Sequence, residues 1–209
     1  MKLYYVTDRK ALSTTAGEQN RLLLEKMEGA ARAGADWIQI REKDLPGREL
    51  AALVEEALRR IPRSCRILVN DRLDVAVAVR AGGVHLAESS VPVAEARRIV
   101  RDQPAGADFL VGVSVHSLES AQAAEQSGAD YVIFGPVFET PSKTAFGQPQ
   151  GLDGLARVSE SISIPVLAIG GITAQRAREC VLARASGIAA IRLFQDAENL
   201  EQLLKELRA

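Results

Sequence analysis

Short apolar runs alternate with longer amphipathic segments along the whole chain. Eight of the runs are almost entirely apolar and rich in β-branched residues, as is typical of parallel strands that are covered on both faces. They predict strands at residues 3–7, 37–41, 67–70, 84–86, 109–113, 131–134, 166–169 and 188–191. The amphipathic segments predict helices at residues 18–33, 48–60, 93–100, 118–127, 174–182 and 200–208.

The order of these elements predicts a closed barrel. Gly34, Gly82, Gly128 and Gly187 each follow a helical stretch and precede a strand, at the point where a helix end favours a residue with positive φ. Repetition of helix, glycine and strand is typical of stacked βα units, and eight such units close into a single (β/α)₈ TIM barrel. The alternative is an open doubly wound sheet. It favours a Gly-x-Gly-x-x-Gly turn after the first strand, which this sequence lacks. We therefore expect one α/β domain over residues 1–209.

Composition and charge restrict the partners. With 47% hydrophobic residues and only 4% aromatic ones, the core must be mainly aliphatic. A net charge of -1 gives no general attraction for nucleic acid or anionic membranes, so anions must bind at local clusters. Neither a signal peptide nor an apolar run long enough to cross a bilayer is apparent. The widely spaced Cys65 and Cys180 indicate reduced thiols and hence a cytoplasmic protein. The apolar helix faces could also pack on a second copy, which leaves a homo-oligomer open.

Polar residues gather after the predicted strands, where barrel enzymes place their chemistry. Arg41-Glu42-Lys43 follows the second strand, and a rigid guanidinium beside an ammonium suits phosphate oxygens. The alternative is a structural rim in which Glu42 neutralises its two neighbours. Asn70-Asp71-Arg72 follows the third strand. An aspartate beside cations can hold Mg²⁺ against a diphosphate, although Asn70 or Asp71 could instead cap the next helix.

Two further segments suit a phosphate. The long loop from Gly135 contains Thr140, Ser142 and Lys143, and it could close over a ligand or be an ordinary surface loop. The pair Gly170-Gly171 joins the seventh strand to a helix, where backbone N–H groups can approach an oxyanion.

The two histidines, His85 and His116, stand at strand ends that face the barrel mouth. Either could act as an acid or a base. A histidine that is only hydrogen-bonded inside the barrel rim is an equally good interpretation of each.

Several spaced motifs resemble the thiamine phosphate synthase family and its relatives, the TenI-type thiazole tautomerases. The resemblance extends from Tyr5 to Ala189. Its most specific segments are Gln39-Ile40-Arg41-Glu42-Lys43, Val69-Asn70-Asp71-Arg72, Gly83-Val84-His85-Leu86, Gly112-Val113-Ser114-Val115-His116-Ser117, the stretch from Phe134 to Lys143 and the Ile-Gly-Gly-Ile turn.

The resemblance implies an Mg²⁺-dependent transferase. Such an enzyme couples a hydroxymethylpyrimidine diphosphate with a thiazole phosphate and releases pyrophosphate, which departs before the thiazole nitrogen attacks. The implied catalytic residues are Arg41, Lys43, Ser114 and Lys143, with Asp71 as the metal ligand. The implied substrate contacts are Gln39, Asn70, Thr140, Ser142, Gly170, Gly171, Ile191 and Arg192.

Two positions depart from the synthase pattern. Ser90 stands where the family has a second acidic metal ligand, a role that the nearby Glu88 could take over, and Arg192 replaces a small serine. Both changes resemble the tautomerases or a divergent paralogue, but the tautomerase histidine is replaced by Pro136. We prefer the synthase. A tautomerase using His116, a non-catalytic thiazole-phosphate binder and an unrelated phosphate-binding barrel stay open.

Overall fold

The computed structural model describes residues 1–101, 108–140 and 148–209. Eight parallel strands form a closed barrel in the order β1 to β8, with β8 pairing back to β1. The predicted (β/α)₈ TIM barrel is confirmed, because each strand pairs with its neighbours in sequence. No helix in the described part of the chain is long and apolar enough to cross a membrane.

The strands are short and lie close to the predicted positions. They are β1 (Lys2–Val6), β2 (Trp37–Ile40), β3 (Arg66–Asn70), β4 (Gly83–Leu86), β5 (Leu110–Val115), β6 (Tyr131–Phe134), β7 (Val166–Ile169) and β8 (Gly187–Ala190). The predicted fifth strand ends at residue 113, whereas β5 continues for two more residues, to Val115. Ser114 therefore lies within that strand and not in the loop after it.

Helices follow the strands around the outside of the barrel. They are α1 (Ala16–Arg32), α2 (Gly47–Arg60), α3 (Leu73–Ala78), α4 (Val93–Arg101), α5 (Leu118–Gln126), α6 (Gly151–Ser161), α7 (Ala174–Leu182), α8 (Arg192–Gln195) and α9 (Leu200–Arg208). A short 3₁₀ turn at Arg9–Ala11 follows β1. Helices α3, α6 and α8 and this turn are not among the predicted elements.

Alternate positions along each strand build two apolar layers. Outward side chains such as Leu3, Ile38 and Val69 pack with the buried helix faces. Inward side chains fill the barrel itself; the buried apolar ones are Tyr4, Val6, Leu68, Tyr131, Ile133, Leu167 and Ala189. Because the interior is filled with side chains, ligands can enter only at the barrel ends.

The prediction of positive φ at four glycines is half right. Gly34 and Gly128 have φ of +102° and +89°, but after α3 and α7 the left-handed residues are Arg80 and Arg184. Those helices therefore end before the glycine is reached. Gly187 is required for a different reason, since a Cβ there would lie 2.2 Å from the Lys2 carbonyl oxygen.

Both cysteines, Cys65 and Cys180, are free and buried. Burial raises the pKa of each thiol to about 12. Both thiols therefore stay protonated near neutral pH, where the thiolate would be the reactive form. The cytoplasmic location and the oligomeric state stay predictions.

Candidate active site

The ends of β2 and β3 bring two amides together at the barrel mouth. The two strands are in register, with Ile40 opposite Val69. Gln39 is 2% exposed, and its Nε2 donates to Asn70 Oδ1 at 2.7 Å. This bond fixes both side chains, so two residues predicted to contact substrate form one rigid pair.

Arg41 and Lys43 follow the end of β2 and carry positive charge that is not compensated by a side-chain partner among the described residues. Arg41 is half-buried and Lys43 is exposed. Within the described residues, neither side chain has an ion pair or hydrogen bond to another side chain. The alternative in which Glu42 neutralises them is therefore wrong, and both cations are free to meet an anion.

Glu42 turns away from its neighbours and is 5% exposed. Its carboxylate accepts from Thr7 Oγ1 at 2.5 Å and from the Arg9 N–H at 3.1 Å. The Arg9 guanidinium is 3.6 Å from the same carboxylate and binds Asp44 at 2.9 and 3.0 Å. Burial raises the pKa of Glu42, although these donors oppose the rise.

Asp71 follows β3 and is exposed in the left-handed region, with φ of 62°. Its N–H donates to the His85 carbonyl at 2.8 Å, which ties it to the end of β4. Ser90 Oγ donates to Asp71 Oδ1 and accepts from the Ala87 N–H at 2.8 Å. The alternative of a helix cap is wrong, because α3 begins after Arg72 without a side-chain cap bond.

The oxygen atoms that Asp71 and its neighbours offer as ligands fit a weakly held divalent ion. Among the residues that the structure describes, no group of three His, Cys, Asp or Glu side chains could enclose a metal. Mg²⁺ usually takes one or two carboxylates and completes its shell with water and substrate phosphate. One exposed carboxylate, with the Ser90 hydroxyl beside it, is compatible with that mode.

A hydrogen-bonded row of side chains crosses the barrel interior below the mouth. Ser114 Oγ is 2.9 Å from His85 Nε2, His85 Nδ1 is 3.2 Å from Tyr131 Oη, and Tyr131 Oη is 3.0 Å from Tyr4 Oη. Burial raises the pKa of both phenols, so they stay protonated. The second interpretation of His85 is therefore right: it is 3% exposed and bonded inside the barrel.

His116 lies just after β5 and is half-buried. The ring Nδ1 of His116 contacts the carbonyl oxygen of Gly135. The backbone N–H of His116 donates to Ser120 Oγ at 3.2 Å. The ring is thus held at the rim by one nitrogen. The acid–base role of His116 stays a prediction.

A cavity of about 450 Å³ opens at the ends of β7 and β8. Its lining includes Thr140, Gly170, Gly171, Ile191 and Arg192, all of them predicted substrate contacts. The cavity also includes Asp8 from the end of β1, which the sequence analysis did not assign to the site.

The glycine pair at this cavity is required by its backbone. Gly170 and Gly171 have φ of +99° and +65°. A Cβ on Gly170 would lie 2.6 Å from Pro136 Cβ, and one on Gly171 would lie 2.6 Å from the Glu139 carbonyl oxygen. Only glycine combines this backbone conformation with so close an approach.

Two arginines contact residues that line the cavity. Arg192 Nη2 is 3.4 Å from Thr140 Oγ1 and is exposed, so its charge faces the opening. Arg176 Nη1 donates to the Gly171 carbonyl at 2.8 Å, and its guanidinium lies 4.6 Å from the Phe138 ring centre. Arg176 was not predicted, although its place three residues after the helix cap Thr173 was an available signal.

Comparison with known proteins gives a consistent assignment. The family described as thiamine monophosphate synthase matches residues 3–194. A thiamine-phosphate synthase from a Roseiflexus species is 40% identical over 99% of this chain and 84% of its own length. One from Methanoculleus marisnigri is 45% identical over 90% of this chain and 85% of its own length.

Solved structures agree with the sequence comparison. The thiamine phosphate pyrophosphorylase from Pyrococcus furiosus superposes with a TM-score of 0.83 at 36% identity, over 99% of this chain and 93% of that one. A 3-hexulose-6-phosphate synthase has a TM-score of 0.72 at 21% identity, which shows the fold alone.

Two predicted site residues, Ser142 and Lys143, lie outside the described residues.

Proposed function

The chain belongs to the thiamine monophosphate synthase family, and on that premise we propose that its barrel mouth is the active site of a thiamine-phosphate synthase. This transferase couples 4-amino-2-methyl-5-hydroxymethylpyrimidine diphosphate with thiazole phosphate, giving thiamine phosphate and pyrophosphate. The supporting observation is the division of the mouth into two anion sites. One consists of the uncompensated Arg41 and Lys43 after β2 with Asp71 after the neighbouring β3, and the other is the cavity at the Gly170-Gly171 turn.

The first site suits the diphosphate. Arg41 offers a fork of donors and Lys43 a point charge, while the fixed pair Gln39 and Asn70 supplies amide groups next to them. Within the described residues these cations have no carboxylate partner, so a diphosphate would not have to displace one. We assign Lys143 the same role from the family resemblance.

Asp71 is the residue that would hold Mg²⁺, with Ser90 beside it. A bound Mg²⁺ would neutralise charge on the diphosphate oxygens. Ser90 is neutral and already shares its hydrogen with Asp71. We therefore expect the protein alone to bind the ion weakly and the substrate diphosphate to complete the site.

The reaction needs stabilisation of a leaving group more than it needs a base. The carbon–oxygen bond to the diphosphate breaks and its electron pair leaves with pyrophosphate, which produces a pyrimidine-stabilised carbocation. The thiazole nitrogen then donates its lone pair to that carbon, and no proton is lost. Arg41, Lys43 and Lys143 act by balancing the charge that develops on the leaving group.

We assign Ser114 a contact with the pyrimidine or the departing oxygen from the family resemblance. Its hydroxyl is held by His85, which Tyr131 holds in turn. A hydroxyl fixed in this way is preorganised and costs little reorganisation when substrate binds.

The second site suits the phosphate of the thiazole. Backbone N–H groups at Gly170 and Gly171 can approach an oxyanion closely because neither residue carries a side chain. Thr140, Ile191 and Arg192 complete this side, with Ser142 assigned from the resemblance. The exposed Arg192 adds a positive charge that favours a dianionic phosphate.

An in vitro coupling assay tests the proposal. Purified protein with both substrates should form thiamine phosphate and pyrophosphate, detected chromatographically, when Mg²⁺ is present and not when it is chelated. Asp71→Ala should abolish product. Asp74→Ala is the matched control, because Asp74 is exposed and pairs with Arg72 at 2.6 Å, outside the proposed metal site.

The outcomes separate the alternatives left open by the sequence. No product at high enzyme and Mg²⁺ would reject the synthase. Proton exchange on the thiazole carboxylate phosphate without metal would identify a tautomerase instead. Tight binding of the thiazole phosphate with neither activity would identify a non-catalytic binder.

A further inference from the structure

Glu42 is a buried carboxylate for which the proposed chemistry has no use. It lies between the two proposed diphosphate ligands in sequence, but its side chain is 2% exposed and points to the loop after β1. A buried carboxylate costs free energy unless it is well bonded. Its contacts therefore indicate what it stabilises.

Those contacts lead to Arg41 through Thr7. Thr7 is fully buried, and its hydroxyl donates to Glu42 Oε1 at 2.5 Å. With its hydrogen directed there, Thr7 Oγ1 is left as an acceptor, and it accepts from the Arg41 backbone N–H at 2.9 Å. Arg41 follows the last residue of β2, so this bond extends the ordered backbone into the mouth.

The loop that carries Thr7 is fixed from its other end. Asp8 N–H donates to Gln195 Oε1 at 2.8 Å, and Gln195 Nε2 donates to the Asp8 carbonyl at 3.0 Å. Gln195 is buried in α8, the short helix that begins at Arg192. The loop therefore cannot easily shift to follow Arg41 if Arg41 moves.

We infer that Thr7 and Glu42 are positioning residues that hold Arg41 in place for the diphosphate. This inference rests on the proposed function. Thr7 and Glu42 touch no substrate; they fix the backbone from which the guanidinium extends. A bidentate contact to phosphate depends on geometry, so an Arg41 whose backbone is free to shift would bind the diphosphate more weakly.

Binding of inorganic pyrophosphate, measured by calorimetry in saturating Mg²⁺, gives a readout that needs no turnover. Thr7→Val keeps the shape but removes both hydrogen bonds, and it should weaken binding about tenfold. Thr7→Ser keeps the hydroxyl and should change binding less than about twofold. In steady-state assays, KM for the pyrimidine diphosphate should rise in Thr7→Val while KM for the thiazole phosphate stays unchanged.

A double-mutant cycle separates positioning from general damage. Arg41→Ala should weaken pyrophosphate binding strongly, and Thr7→Val should then add nothing. Asn199→Ala is the control for a lost side chain–backbone bond, since Asn199 caps α9 at 2.9 Å. It should lower thermal stability without changing pyrophosphate binding.

Each result has a definite meaning. If Arg41→Ala leaves pyrophosphate binding intact, the proposed diphosphate site fails. If Arg41→Ala weakens binding and Thr7→Val does not, or the two losses multiply in the double variant, the positioning role is overturned. Should Thr7→Val not fold, Glu42→Gln is the second variant. This substitution places an amide N–H₂ against the Arg9 N–H, so that two donors face each other. It should weaken pyrophosphate binding about threefold, and it should cause no additional loss in the Arg41→Ala background.

Discussion

Gly112 is the position where one added methyl group should disturb the interior most. It lies on β5 opposite Tyr131, and a Cβ there would be 2.0 Å from Tyr131 Cζ. Its φ is outside the left-handed region, so the effect of Gly112→Ala is steric and not a matter of backbone strain.

The Tyr131 ring has little room to retreat. Its centre is 4.8 Å from that of Trp37, 5.7 Å from that of His85 and 5.9 Å from that of Tyr4. Overpacking costs ~1–3 kcal/mol. Loss of the bonds from Tyr131 to Tyr4 and His85 adds about 1 kcal/mol each. The free energy of unfolding should therefore fall by about 3–5 kcal/mol.

Urea denaturation followed by circular dichroism measures this change. For a chain of this size the midpoint of thermal unfolding should fall by about 6–20 °C. Gly17→Ala is the matched control, because nothing lies within 4 Å of a Cβ at this helical glycine. It should be neutral or slightly stabilising, by less than about 1 kcal/mol.

The steric explanation also predicts non-additivity. Tyr131→Ala removes the ring that Gly112→Ala would strike, so the second substitution should cost almost nothing in that background. A loss below about 1 kcal/mol for Gly112→Ala alone would refute the reasoning. A full additional loss in the Tyr131→Ala background would do the same.

Three other outcomes follow from the site. Gly170→Ala should lower the affinity for the thiazole phosphate at least about tenfold and spare pyrophosphate binding, both measured by calorimetry; equal losses would contradict separate sites. Ser90→Asp adds a carboxylate beside Asp71 and should tighten Mg²⁺ binding about tenfold, and weaker binding would contradict the metal assignment. Burial raises the pKa of Glu42, so the folded state holds this proton more tightly than the unfolded state. The stabilisation from Glu42 is complete below its ordinary pKa and is lost as pH rises through the raised value. The stability of wild type relative to Glu42→Gln should therefore fall as pH rises above the ordinary glutamate pKa of about 4.3, and a flat difference in urea denaturation would be inconsistent with it.

The barrel and its functional end could be predicted from local pattern. Apolar runs and amphipathic periods depend on residues a few positions apart, so strands such as Tyr131–Phe134 were placed correctly. Polar residues after those runs then had to share one end of the barrel, because parallel strands point the same way. Arg41, Asp71 and Gly170 were therefore predicted at the mouth, and the structure has them there, after β2, β3 and β7.

The partners of individual side chains could not be predicted in this way. One of the two interpretations of this run paired Glu42 with Arg41 and Lys43, its sequence neighbours, but Glu42 pairs with Thr7 and Arg9. Successive residues beyond a strand face different directions, and the loop after β1 reaches the carboxylate only once the barrel has closed.

The sequence by itself thus determined the fold class, the order of the strands and the edge at which the polar residues gather. Tertiary structure alone decided the row from Ser114 to Tyr4, the burial of Glu42 and the left-handed turns at Arg80 and Arg184. The physical reason is the distance along the sequence between the residues that interact. Periodicity is a property of neighbouring residues, whereas the hydrogen bond between Tyr4 and Tyr131 joins residues 127 positions apart, and such bonds depend on register, closure and packing together.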